Sequence, residues 1–122
     1  MHESGENYLE TILVLQKRNA NVRSIDIARE LNFSKPSVSR AVGILKENGY
    51  IVVDDDGHIK LTEDGKSTAE AIYERHKTLT SFLQITAGVS PETAEEDACR
   101  IEHILSDETF QGIKSFMKKT SM

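Results

Sequence analysis

Two short helical patterns with a two-residue break between them, followed at once by a β-branched run, leave few folds open to this chain. From Ser24 to Leu31, Ile27, Ala28 and Leu31 recur at helical spacing, Ser24 suits the N-cap, and Asn32 suits the turn that follows. Ser34 then caps a third helix with Pro36 in its first turn, where a missing N–H costs nothing, and Asn48-Gly49 stops it. Tyr50-Ile51-Val52-Val53 reads as a strand, Asp54 to Gly57 as a turn and Ile59-Lys60-Leu61 as the returning strand. Helix, tight turn, helix and hairpin in this order predict a winged helix-turn-helix.

The flanks are helical too. Glu6 to Arg18 reads as an amphipathic helix with Leu9, Ile12, Leu13 and Gln16 on one side and Ser4 able to cap its start. Thr62-Glu63-Asp64 opens a long helix to about Gln84, with a stripe of Ala69, Ile72, His76, Leu79 and Leu83, and Gly88 ends that region. Ser90-Pro91-Glu92 starts a helix running to about Leu105, and Asp107 begins a last one carrying Phe110, Ile113, Phe116 and Met117. The expected fold is therefore mostly α: a winged helix-turn-helix over residues 1–62 and a helical domain over residues 63–122.

At 122 residues, there is no room for a large catalytic scaffold. Hydrophobic residues at 38% and charged residues at 29% place the chain among those that bury a core. Neither a membrane span nor a basic-then-apolar leader is visible, and the single cysteine, Cys99, excludes an internal disulfide, so a cytoplasmic protein with a reduced thiol is expected. The net charge of −5 argues against coating nucleic acid nonspecifically. The excess is uneven: residues 1–62 hold 8 Lys and Arg against 9 Asp and Glu, and the remainder 7 against 11, so a focused DNA contact stays open to the first half.

In the third helix Val38, Ala41, Val42 and Leu45 share the buried face, which leaves Pro36, Arg40, Gly43 and Glu47 opposite, flanked by Ser37 and Ser39. Small hydroxyls and an arginine at the N-terminal end are what a recognition helix offers to base edges and phosphates. Arg40 can fork onto a guanine edge, while Ser34, Lys35 and Ser37 can hold the helix against the backbone. The plain alternative is an ordinary surface helix in a protein-binding winged domain. Asp54-Asp55-Asp56 at the wing tip would repel phosphate, so that wing reaches DNA through His58 or Lys60, or not at all.

A second constellation lies in the fifth helix. Cys99, Glu102 and His103 stand at i, i+3 and i+4, and Glu95 lies one turn earlier on the same stripe. Thiolate, carboxylate and imidazole at this spacing form half a site for a divalent transition metal and disfavour Mg²⁺ and Ca²⁺. His76 interrupts an apolar stripe and so points inward, and Asn7 and Glu10 stand one turn apart on the first helix. Spacing alone leaves a core of ordinary packing residues equally open.

Five segments together resemble the diphtheria-toxin-repressor family, which includes the manganese-transport regulators. They are Tyr8-Leu9-Glu10-Thr11-Ile12, Ser34-Lys35-Pro36-Ser37-Val38-Ser39, Leu61-Thr62-Glu63-Asp64-Gly65, Arg75-His76, and Asp97-Ala98-Cys99-Arg100-Ile101-Glu102-His103, the last being the most specific. The resemblance implies a homodimeric, metal-activated repressor that reads a palindromic operator in double-stranded DNA. It implies metal ligation by Cys99, Glu102, His103, His76 and the manganese-type carboxylate Glu10. Asn7 stands where iron-type members have Met and manganese-type members Asp, Glu95 stands at a second-site His, and Thr80 replaces an acidic ligand of that site. The pattern mixes iron and manganese types, with Fe²⁺ expected first and Mn²⁺ next, and the SH3-like third domain of longer members is expected to be absent. No nucleophile or phosphate loop accompanies these residues, so a regulator rather than an enzyme is expected. The rival is a metal-independent winged-helix regulator.

Overall fold

The computed structural model describes residues 3–120. Their elements run α1 (Glu3–Arg18), α2 (Ser24–Leu31), α3 (Lys35–Glu47), β1 (Ile51–Val53), β2 (Ile59–Leu61), α4 (Glu63–Ala87), α5 (Pro91–Ile101) and α6 (Asp107–Thr120). The mostly helical class and the winged helix-turn-helix are both as expected. By internal contacts the chain divides into two units between Glu70 and Ala71, inside α4. No described helix is long and apolar enough to cross a membrane.

In the first unit α1 packs on α2, α3 and β2, α2 packs on α3, and α3 packs on β1. The periodic apolar positions meet here: Leu9 and Ile12 of α1, Ile27 of α2, Val38 and Leu45 of α3, and Ile51 and Ile59 of the hairpin are buried. Each such side chain contributes about 1.5–3 kcal/mol when removed from water. The strands pair antiparallel with Ile51 opposite Leu61 and Val53 opposite Ile59. Ile59 N–H also donates to Val22 O at 2.7 Å, tying the hairpin to the segment ahead of α2.

A knot of backbone joins the hairpin to the first turn of α4. Thr62 Oγ1 donates to Gly49 O at 2.6 Å and accepts from Gly65 N at 3.1 Å, and Thr62 N donates to Tyr50 O at 3.0 Å. Gly65 is buried so closely against this strand that a Cβ would fall 1.8 Å from Tyr50 O. Only glycine fits there.

The second unit buries Ile72, Leu79, Ala94, Ala98 and Phe110. Lys114 Nζ meets Glu74 Oε1 at 2.6 Å, and Phe82 and Phe116 stack edge to face at 6.0 Å, which ties α6 to α4. Alanines carry much of this core. Three large apolar side chains remain out: Ile85 is 55% exposed, Ile104 74% and Phe116 46%.

Several boundaries differ from the sequence reading. α1 begins at Glu3, so Ser4 lies inside it rather than capping it. The N-cap of α2 is Arg23, not Ser24, because the Asp26 carboxylate reaches back to accept the Arg23 backbone N–H at 2.8 Å. Asn32 takes the left-handed conformation (φ 56°) as expected. Ala41 is half-buried and Phe116 exposed, so each apolar stripe is narrower than its periodicity suggests. α4 runs on to Ala87, and α5 stops at Ile101 rather than near Leu105. Glu102 is the C-cap of α5, still helical in backbone (φ −59°, ψ −27°) with its N–H on Ala98 O at 2.9 Å, and His103 lies in the turn that follows.

Candidate metal centre and nucleic-acid interface

The recognition face forms at the start of α3. Ser34 caps the helix, accepting from Ser37 N at 3.3 Å and donating to Ser37 Oγ at 2.8 Å. Lys35, Pro36, Ser37, Ser39 and Arg40, like Ser34, are exposed, while Val38, Val42 and Leu45 face the core. The structure thus separates the two faces as the periodicity requires, and the proposed DNA contacts share one accessible end of the helix. Gly43, further along the helix, faces open space, with nothing within 4 Å of a built Cβ.

The wing tip keeps its three aspartates exposed, and one of them also builds the turn. Asp54 Oδ1 accepts from the backbone N–H of both Asp56 and His58 at 2.9 Å, so its carboxylate shapes the turn. The His58 amide above all, then that of Asp56 and the nearby charges of His58 and Lys60, holds the Asp54 carboxyl below its ordinary value of 3.8. His58 Nδ1 lies 3.4 Å from Asp54 Oδ2, and its Nε2 lies 3.3 Å from Arg23 Nη2. Arg23 therefore stands beside the wing, a placement that no sequence pattern signalled.

In the second unit α4 and the end of α5 assemble a polar centre. Glu102, the residue after α5, is buried to 1% exposure. His76 of α4 places Nδ1 2.9 Å from Glu102 Oε2, and His103 places Nε2 3.1 Å from Glu102 Oε1. That second oxygen accepts no well-directed hydrogen bond. Glu95 Oε1 stands 3.8 Å from His76 Nε2 with its side chain 71% exposed. Thr80 gives its hydroxyl to His76 O at 2.7 Å and stays with the backbone. Cys99 is exposed, and its thiol is not among the donor atoms that gather within 4.8 Å of one another in the described residues. In the first unit Glu10 is buried and Asn7 half-buried on α1, the Asn7 carbonyl accepting from Thr11 Oγ1 at 2.8 Å.

A dry carboxylate flanked by two imidazoles is expensive to keep unless cation charge offsets it. An incompletely bonded Glu102 Oε1 and oxygen and nitrogen donors together fit a divalent transition metal. The imidazole of His76 can ligate through one nitrogen while the other stays on a carboxylate. Arg75, quoted above with His76 but given no role, donates its Nη2 to Leu105 O at 2.7 Å just beyond this centre.

Comparisons with known proteins show the family to which the chain belongs. Residues 1–59 match the model of the iron dependent repressor N-terminal DNA binding domain, and residues 62–122 match that of the iron dependent repressor metal binding and dimerisation domain. The chain belongs to the iron-dependent repressor family of metal-dependent transcriptional repressors. It is 37% identical over 98% of its length to an HTH-type transcriptional regulator of Methanocaldococcus jannaschii, MJ0568, covering 96% of that protein. It is 29% identical to the diphtheria toxin repressor of Corynebacterium diphtheriae over 98% of this chain and 53% of the relative. The solved manganese regulator SloR superposes with a TM-score of 0.83 at 26% identity, over 93% of this chain and 53% of the other. The chain thus spans about half the length of the latter two and nearly all of the archaeal relative.

Proposed function

We propose that this chain is a metal-activated repressor that binds a palindromic operator as a homodimer, with Fe²⁺ or Mn²⁺ as the effector. The observation that carries the reading is the buried Glu102 carboxylate between His76 and His103. Glu102, His76 and His103 form the nucleus of the ligand set, and Glu95 joins from the open side. Glu10, a buried carboxylate, and Asn7 are assigned as the ligands from the N-terminal domain. Cys99 ligates by turning its thiol inward. With nitrogen and oxygen donors alone the set suits Mn²⁺ and Fe²⁺ alike, and the thiolate tips the preference to Fe²⁺.

A bound divalent ion would supply positive charge that offsets the buried carboxylate of Glu102. Residues 1–62 act as the reading domain, with Arg40 on a base edge and Ser34, Lys35, Pro36, Ser37 and Ser39 along the backbone. Residues 63–122 act as the metal and dimer domain, and the apolar surface left at Ile85, Ile104 and Phe116 supports pairing with a second copy. Two reading helices related by a twofold axis must be one helical turn of DNA apart, or a multiple of it. Since metal and operator favour the same arrangement, each strengthens the binding of the other.

The test uses double-stranded DNA selected from a random pool by the Mn²⁺-loaded protein. Anisotropy at fixed salt is then measured with Mn²⁺, with anaerobic Fe²⁺, and after exhaustive chelation. Affinity is expected to fall at least tenfold on chelation and to return with either metal. Equal affinity without metal would establish the metal-independent regulator instead.

A further inference from the structure

We infer that Arg75 is a positioning residue of the metal centre: by gripping the turn between α5 and α6 it holds Glu102 and His103 at the reach of His76. The inference rests on the metal-centre reading above and adds a residue that is not itself a ligand. α5 ends at Ile101, and residues 102–106 form the turn before α6. Ile104 N and Leu105 N return to Ile101 O and Glu102 N to Ala98 O, while Ser106 O accepts from Phe110 N at 3.0 Å as α6 begins, so Leu105 O is the far-end carbonyl that calls for a donor from outside. Arg75 supplies it, with Nη2 2.7 Å from Leu105 O and a longer 3.4 Å contact from the same nitrogen to Ser106 O. Its guanidinium carbon lies 5.0 Å from the centre of the Phe110 ring, which fixes the plane of the fork. Ser106 then caps α6 by accepting from Thr109 N at 3.2 Å.

The turn is thereby held to α4 at two places. Arg75 takes its far end and His76, the next residue, meets Glu102 at its near end. Arg75 Nε is buried and makes no hydrogen bond. A guanidinium left partly unsatisfied is a poor way to gain stability, since an apolar side chain would fill the same space without that penalty. What the apolar side chain lacks is a directed N–H for Leu105 O, and that bond fixes the far end of the turn against α4. Preorganised ligands bind more tightly because less ordering remains to be done when the ion arrives.

The experiment measures Co²⁺ binding to the full chain by its visible absorption, which reports affinity and ligand geometry together. Arg75→Met is expected to weaken Co²⁺ at least tenfold and to shift the bands, with Arg75→Lys intermediate. Lys114→Ala, which breaks another link between α6 and α4 without touching the turn, is expected to leave both unchanged. Circular dichroism checks that each variant is folded. Wild-type affinity and bands in Arg75→Met would overturn the inference, as would an equal loss in Lys114→Ala. Should Arg75→Met fail to fold, Arg75→Lys decides: a loss of threefold or more supports positioning, and unaltered binding refutes it. Failure of the unaltered protein to take up Co²⁺ would remove the metal centre itself, and this inference with it.

Discussion

Glycine to alanine is the smallest side-chain addition available, and this structure assigns it opposite signs at two positions. At Gly65 the new methyl would lie 1.8 Å from Tyr50 O and 2.8 Å from Tyr50 C, well short of the 3.4 Å at which ordinary contact begins. The obstacle is backbone, so no rotamer change relieves it. Overpacking of this kind costs about 1–3 kcal/mol. Moving α4 away to make room also breaks the Thr62 hydroxyl bonds to Gly49 and Gly65, at about 1 kcal/mol each. The sum, about 3–5 kcal/mol, is a large part of the ~5–15 kcal/mol that holds a typical domain folded. At Gly43 the methyl meets nothing within 4 Å, and the position lies inside α3. Alanine there removes backbone freedom from the unfolded chain and is expected to stabilise by about 0.5–1 kcal/mol. Urea unfolding followed by far-ultraviolet circular dichroism measures both. A loss under about 1 kcal/mol in Gly65→Ala, or any loss in Gly43→Ala, would refute the packing argument.

Further outcomes follow from the two sites. At a metal concentration one hundred times its dissociation constant, the wild type should gain about 2.7 kcal/mol of stability, and Glu102→Gln, weakened a thousandfold, less than about 0.1. A thermal shift with Mn²⁺ that survives in Glu102→Gln would count against Glu102 as a ligand. Arg40→Ala should weaken operator binding by about 1–3 kcal/mol and relax base preference, whereas Lys35→Ala should weaken all sequences alike and lower the salt slope by about one. Indistinguishable effects on base preference would undo that division of labour. The Asp54 turn titrates with a definite sign. Because its carboxyl is held below 3.8, its contribution is complete above that value and disappears as the pH falls through the lowered one. The amide resonances of Asp56 and His58 should therefore move with a midpoint below 3.8, and a midpoint at or above it would contradict the hydrogen bonds described.

What could be read from the residues was local. Val38, Val42 and Leu45 repeat at the helical period, Ser34 and Pro36 mark one end, and Asn48-Gly49 marks the other, so α3 and its exposed face followed directly. His76 was legible for a similar reason: an imidazole in an apolar stripe must turn inward, and its side chain is 15% exposed. The bond from Arg75 to Leu105 O was not legible, because the two residues stand 30 apart in the sequence. A helical wheel put Glu102 on the stripe of Cys99, and Glu102 does keep helical backbone, but the wheel could not say that its carboxylate meets His76 while Cys99 stays exposed. The wing was legible only in part. Its three aspartates are exposed and carry the charge the residues show, but that Asp54 also shapes the turn by accepting two amides of its own loop was not visible. Charge is visible in a sequence, but the hydrogen bonds that commit it are not.

Keeping Glu102 dry has a bearing on how long each molecule lasts in the cell. Deprived of its ion, the protein would open more often at the junction of α5 and α6 and offer that stretch to proteases. Starvation for metal would then thin the repressor population as well as loosen its hold on DNA, and the two effects would release the same genes together.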